Sequence, residues 1–303
     1  MNTDLNFVST YLNKGKEMNS ENSVYYEDNV SEFGVANLWS NCNIKYSSNT
    51  KRDTKVEIVD KPKWGLTCYM NNSVQSCLKD EQMYHESLVV PVMSTVENPK
   101  RVCIIGGGEG ATLREVLKWP GVEEVDMYEW DREVVELFRS KYTQWSQGAF
   151  DDPRVVLIYD DIFDVIHEKP SRKYDVIIID LFDPDSDNYD LWKELLINIT
   201  NRWINDNGSI VMYSGMRNIL ADIQPYHILM KFLNMHIGLT EIMNAHTNPI
   251  CHNIIPYKVH IPSFSGESTF ILVKNDKSSN SINTVVKSHL TDKIWESYKT
   301  FNW

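Results

Sequence analysis

The stretch Arg101-Val102-Cys103-Ile104-Ile105-Gly106-Gly107-Gly108-Glu109-Gly110-Ala111-Thr112-Leu113-Arg114 leaves this chain few choices of fold. Val102 to Ile105 is an apolar run that spells a buried strand, and the glycines that follow make a turn where side chains would clash. Ala111 to Trp119 then shows helical spacing at Leu113, Val116 and Leu117 until Pro120 stops it. Strand, glycine turn and helix start form the nucleotide-binding corner of an open α/β sheet, where backbone N–H groups face a ligand. Glu109 is the oddity, because a turn built for phosphate should not carry a carboxylate.

Downstream the alternation of strand and helix continues. Val125–Glu129 is predicted as the second strand, Val155–Tyr159 the third, Asp175–Ile179 the fourth and Ser209–Tyr213 the fifth. Helices are predicted at Arg132–Tyr142, after Asp161, at Tyr189–Ile204 with Asn207-Gly208 as the stop, and from roughly Met216 to Met235. Tyr257–His260 and Thr269–Val273, around Pro262-Ser263-Phe264-Ser265-Gly266, read as an antiparallel hairpin closing the sheet. The pattern is α/β, a mostly parallel, doubly wound sheet with ligands at the carboxyl ends of its strands. Residues 275–290 are polar, and no internal repeat is present.

The upstream part differs. Residues 1–35 are polar and predicted as an arm, and residues 36–95 as a small β domain with a linking helix. Three alternating segments, Asn43–Ser47, Thr54–Val59 and Leu66–Met70, are separated by the turns Pro62–Gly65 and Asn71–Ser73, and a helix covers Asp80–Met93. Residues 96–303 are predicted as the larger, α/β domain.

Four successive strand ends carry acid. Glu109 sits in the turn after the first, Glu129 ends the second about twenty residues on, Asp160-Asp161 the third, and Asp180-Leu181-Phe182-Asp183-Pro184 the fourth; the fifth ends at Ser214-Gly215. Each has a bland alternative: Asp161 could simply cap a helix, and Asp183 could form an Asx turn. Their coincidence points to one ligand site. Gly106-x-Gly108-x-x-Ala111 formally satisfies a dinucleotide fingerprint. A pyrophosphate there would face several carboxylates in a partly desolvated cleft. A phosphate-free, cationic adenosine such as an adenosyl sulfonium fits better. Glu129 then accepts from the ribose hydroxyls and Asp161 from the adenine amine, while Glu109 meets the chain on sulfur. A donor ending in an ammonium alone suits that carboxylate without repulsion.

The sequence here resembles the polyamine aminopropyltransferases, the spermidine, spermine and thermospermine synthases. The resemblance rests on Gln75-Ser76-Cys77-Leu78-Lys79-Asp80-Glu81-Gln82-Met83-Tyr84-His85-Glu86, the Gly-Gly-Gly-Glu-Gly turn, Glu129, the Asp161 position and Asp180-x-x-Asp183-Pro184. It runs collinearly from about Thr54 to Val273. Tyr84–Val89, Glu at 109 and His260-Ile261-Pro262-Ser263-Phe264 look most like the thermospermine synthases. The resemblance implies a methyltransferase-like Rossmann fold with a small N-terminal antiparallel β domain, usually dimeric. It also implies transfer of an aminopropyl group from decarboxylated S-adenosylmethionine to a polyamine amine. By resemblance the donor set is Gln75, Gly106, Gly108, Glu109, Glu129, Asp160, Asp161, Ile162 and Asp180. The acceptor set is Tyr84, His85, Glu109, Asp183 and Phe264; Asp180 is the general base and Tyr84 its catalytic companion. His85 as a plain helix histidine is the alternative. There are departures: a nucleoside-touching glutamine of many relatives falls at Thr54, Ser186-Asp187 replaces a common Gly-Pro, and Phe264 replaces a tyrosine. The last two argue against plain putrescine specificity.

Composition bears on partners. The net charge of −12 disfavours nucleic acid and anionic membrane surfaces and favours a cationic ligand. The five scattered cysteines form no C-x-x-C pair, so no metal site is expected and a cytoplasmic setting is. No apolar N-terminal leader or membrane-length apolar run occurs. The expected co-substrate is the decarboxylated donor, with no cofactor and with a homodimer or higher homo-oligomer as the assembly. Spermidine synthesis from putrescine and S-adenosylmethionine-dependent methyl transfer are the rival activities; a non-catalytic nucleoside or polyamine binder is a third.

Overall fold

The structure, a computed structural model, describes residues 23–26, 38–185, 187–217, 225–244, 252–275, 281–283 and 285–300. It divides into two compact units, residues 1–81 and 82–303. The break falls in the first turn of α1 (Glu81–Thr95), so that helix belongs almost wholly to the second unit.

The first unit is an antiparallel sheet in which neighbours in sequence are neighbours in space: β1 (Ser23–Tyr26), β2 (Leu38–Asn49), β3 (Lys55–Lys61), β4 (Gly65–Met70) and β5 (Ser73–Cys77). Two of these strands depart from the sequence reading. β1 lies inside the expected polar arm, where Val24-Tyr25-Tyr26 supplies β-branched and aromatic residues amid polar ones. β5 begins at Ser73 because Asn71 and Asn72 take φ values of 49° and 64° and turn the chain in two residues. The remainder of the arm lies outside the described residues. The core of this sheet is Cys42, Val59 and Tyr69, with Trp39 and Val74 packed on it.

In the second unit, β6 (Arg101–Gly106), β7 (Glu124–Tyr128), β8 (Val155–Ile158), β9 (Tyr174–Asp180) and β10 (Ile204–Arg217) run parallel. β11 (His252–Ile261) and β12 (Gly266–Asn275) close the sheet antiparallel, in the order β11-β12-β10-β9-β6-β7-β8. This is the methyltransferase-like Rossmann arrangement that the resemblance implied. The helices are α2 (Ala111–Leu117), α3 (Arg132–Ser140), α4 (Ile162–Val165), α5 (Tyr189–Asn198), α6 (Pro225–Asn244) and α7 (Asp292–Tyr298). Ile177, Ile178 and Ile179 of β9 are fully buried, each worth about 1.5–3 kcal/mol relative to exposure. Among the described residues, no helix is long and apolar enough to cross a membrane.

Several predicted boundaries move. The helix expected to reach Ile204 ends at Asn198, a wider π turn covers Ile199–Trp203, and β10 starts at Ile204. Asn207-Gly208, read as a helix stop, lies within that strand at an irregularity between Ile204 and Ser209. β10 also continues through the expected start of the next helix, because Met216 and Arg217 pair with Ser268 and Glu267 on β12. The Arg217 guanidinium and the Glu267 carboxylate, 2.6 Å apart, reinforce that pairing. The helix resumes at Pro225, whose ring favours a first turn. The stretch before α7 is less polar than its composition suggests, since Ile282, Val286 and Leu290 are buried.

Strand order reverses between β6 and β9, and open α/β sheets bind ligands at such a crevice. Gly106 stands opposite Asp180 in the register of these two strands.

Candidate active site

The glycine turn is shaped by what lies against it. Gly106 has φ +84°, and a Cβ there would sit 2.2 Å from the Asp180 carbonyl oxygen. A Cβ on Gly108 would meet the Glu129 carboxylate at 3.0 Å. Glycine here is demanded by the close approach of two acid-bearing strand ends.

At the end of β9, Asp180 is anchored on both sides. Tyr84 of α1 donates its hydroxyl to Oδ1 at 2.8 Å, and Thr112 of α2 donates to Oδ2 at 2.8 Å. A carboxylate has about four acceptor positions, so room is left for a further proton donor. Burial raises the pKa of Asp180 and the nearby Glu109 raises it further; His85 and the Thr112 and Tyr84 hydroxyls pull it back down. Burial, and next the Asp180 charge, hold the Tyr84 phenol well above its usual range, so it remains a donor. The Tyr84 ring lies among Tyr213, Phe264 and Phe270, with centroids 5.9, 5.8 and 5.3 Å away.

His85, also on α1, places Nε2 2.8 Å from Glu109 Oε1, and the carboxylate can only accept, so the ring donates. The histidine thus holds the odd carboxylate of the turn. His85, Glu109 and Asp180 offer ligand atoms within 4.8 Å of one another, a set able to hold a cation, whether an ammonium or a metal ion. Asp183 keeps an exposed surface, yet desolvation raises the pKa of its carboxyl, opposed by hydrogen bonds from the Tyr213 hydroxyl and the Met216 amide.

Glu129, just past β7, accepts from the Asp131 amide at 3.0 Å through Oε1. Burial raises its pKa to about 7, with the Asp131 N–H opposing and Glu109 adding to the rise. Asp161 accepts from the Phe163 amide at 3.0 Å and caps α4, the bland role weighed for it. Asp160 beside it is exposed and Ile162 is buried. Gln75 stands exposed on β5 in the other unit, its amide donating to the Ser73 carbonyl at 3.3 Å. At the Thr54 position the backbone amide donates to Thr50 Oγ1 at 3.3 Å.

The structure therefore brings together Tyr84, His85, Gly106, Glu109 and Asp180, sets Gly108 against Glu129, and sets Tyr84 against Phe264. Three residues of the site escaped the sequence reading: Thr112, Tyr213 and Phe270. Thr112 carried a signal, a hydroxyl in the first turn of the helix that follows the glycine loop. Tyr213 did too, as an aromatic hydroxyl at the fifth strand end. Phe270 looks in sequence like any core residue of a strand.

The arrangement suits a reaction between cations: carboxylates to hold ammonium groups, a desolvated carboxylate to take a proton, and an aromatic wall beside it. Comparison with known proteins agrees. The spermine/spermidine synthase domain matches residues 81–284. A polyamine aminopropyltransferase of Pyrobaculum calidifontis is 37% identical over 243 residues, covering 79% of this chain and 78% of its own. One from Hyperthermus butylicus is 35% identical, covering 70% and 68%. In fold, the chain is similar to a spermidine synthase solved in complex with the transition state analogue AdoDATO, with TM-score 0.74 at 23% identity, covering 95% and 96%.

Proposed function

Because this chain belongs to the spermine/spermidine synthase family and is a polyamine aminopropyltransferase, we propose that it moves the aminopropyl group of decarboxylated S-adenosylmethionine onto spermidine, giving thermospermine and 5′-methylthioadenosine. The observation that carries the reading is Asp180, desolvated and held by Tyr84 and Thr112 at the β6–β9 crevice, with Glu109 close by.

The donor's sulfonium is its own leaving group, so cleaving the carbon–sulfur bond needs no general acid. The obstacle is the acceptor, since a polyamine amine is protonated near neutral pH. Asp180 takes that proton, and its raised pKa suits a base working near neutrality. The freed lone pair attacks the carbon next to sulfur, the carbon–sulfur bond breaks, and its electrons neutralise the sulfonium. Glu109, fixed by His85, faces the donor's terminal ammonium. Glu129 takes the ribose and Asp161 the adenine edge, with Gly106, Gly108, Asp160 and Ile162 completing the donor side. Asp183 and Phe264 line the acceptor side with Tyr84. In this reading the enzyme needs no cofactor or metal and acts in the cytoplasm as a homodimer or higher homo-oligomer.

Spermidine is placed ahead of putrescine on the motif likeness at Tyr84–Val89, Glu109 and His260–Phe264. One incubation tests the reading. Decarboxylated donor is supplied with putrescine, spermidine or spermine and the products are separated by chromatography. Thermospermine from spermidine is the expected result; spermidine from putrescine as the main product moves the assignment to spermidine synthesis. In the same assay Asp180→Asn should lower turnover by about 10²–10⁴-fold while donor binding survives. Unimpaired turnover in that variant would remove Asp180 as the base.

A further inference from the structure

Glu86 follows Tyr84 and His85 directly, yet it faces elsewhere. Each helical residue turns about 100°, so Glu86 lies on the far side of α1 from Tyr84. Its side chain is 0% exposed, a place where an ionised carboxylate is costly unless both oxygens are satisfied. They are. Oε1 accepts from Gln82 Nε2 at 2.6 Å. Oε2 accepts from the His289 amide at 2.7 Å and from its ring Nδ1. Burial alone would raise the pKa of Glu86, but the hydrogen bonds from His289 and Gln82 outweigh it and hold it low.

The contact with His289 is one of several that fasten the C-terminal segment to this helix. The Asn283 amide donates to Ser94 Oγ at 2.9 Å, near the other end of α1. Within the segment itself, His289 Nε2 meets the Tyr298 hydroxyl at 3.3 Å. In mid-helix, Pro91 has no N–H to give the Ser87 carbonyl, and the Tyr257 hydroxyl donates to that oxygen at 2.8 Å instead. Tyr257 is itself packed edge-on against Trp295 of α7, centroids 4.8 Å apart, and stacked on Phe270 at 5.2 Å. Phe270 touches Tyr84. A line of rings thus joins the C-terminal helix to the site.

We infer that Glu86 and His289 are positioning residues: the hydrogen-bonded pair fixes the rotation of α1 from behind, and so sets Tyr84 against Asp180 and His85 against Glu109. The inference rests on Tyr84 and His85 acting at the proposed site. A buried polar pair is suited to this task, because an apolar contact tolerates small rotations that a hydrogen-bonded carboxylate does not.

The test uses the full chain with decarboxylated donor and the acceptor the wild type uses. His289→Leu and Glu86→Gln are each expected to lower kcat roughly 10- to 100-fold and to raise the acceptor KM several-fold. Donor affinity should fall less than acceptor affinity, because Glu129 and the backbone of the glycine turn do not depend on the pair and only the His85 contact to Glu109 does. His289→Asn, which keeps a donor where Nδ1 stood, should recover most of the loss. Wild-type constants in His289→Leu and Glu86→Gln would overturn the inference. So would a fall in kcat with the acceptor KM unmoved, the signature of a smaller folded fraction, or failure of His289→Asn to recover activity. An inactive wild type would instead count against the proposed function, and the two failures are thereby distinct.

Discussion

Thr112 does the least conspicuous work in the site and makes the sharpest residue-level prediction. Its hydroxyl reaches Asp180 Oδ2 at 2.8 Å and is one of two side-chain hydrogen bonds that lower the carboxylate's raised pKa. A hydrogen bond to a charged group contributes about 1.5–3 kcal/mol. Thr112→Val removes it with little change in shape. Losing a hydrogen bond that holds this pKa down raises it further, so the proton leaves at higher pH in the variant. The acidic limb of the kcat/KM profile should therefore move to higher pH, and the rate at a fixed pH below that limb should fall roughly tenfold or more. A pH–rate profile superimposable on the wild type would refute this role. The acids at the strand ends were legible in the sequence because strand and ligand obey one rule of position. Thr112 showed only as a hydroxyl at a helix start; its partner is 68 residues away, and the fold alone joins the two. His85 was half legible: the motif marked it as a ligand, but its hydrogen bond to Glu109 needed α1 and the glycine turn in their places.

At the level of elements, the decisive contact is the parallel pairing of β6 with β9. Gly106 pays there for nearness to Asp180 with a left-handed backbone and no room for a methyl group. Gly148 is a natural control, with φ +85° and nothing within 4 Å of the same methyl. Gly148→Ala should cost about 1 kcal/mol of strain, whereas Gly106→Ala should cost more than about 3 kcal/mol and abolish most activity. In a unit of this size the gap corresponds to about 4 °C or more between the two melting temperatures. Equal melting temperatures would refute the steric account. Elements with an unbroken apolar run, such as β6 and β9, were read correctly from sequence because both faces are buried. β5 and the ends of β10 were missed for another reason. Their pairing is decided by a two-residue asparagine turn and by ladder partners on β12, and neither leaves a periodic trace.

On the scale of the molecule, a net charge of −12 surrounds a site that handles cations. The acceptor carries several charges and the donor fewer, so screening should weaken the acceptor more. Raising salt from about 0.05 M to about 0.5 M is expected to increase the acceptor KM several-fold and the donor KM by less, read from initial rates. Equal increases would mean that the overall field plays no part in choosing between substrates. The Ser87 carbonyl, freed by Pro91 and claimed by Tyr257, carries a consequence for how such a molecule is made. Its partner lies 170 residues further along the chain. The helix that presents Tyr84 can wind early, but its hydrogen-bond ladder is complete only when the last hairpin has arrived. A growing polypeptide therefore owns Tyr84 and Asp180 long before it owns the finished helix that brings them together, and the closing step of folding is a long-range one.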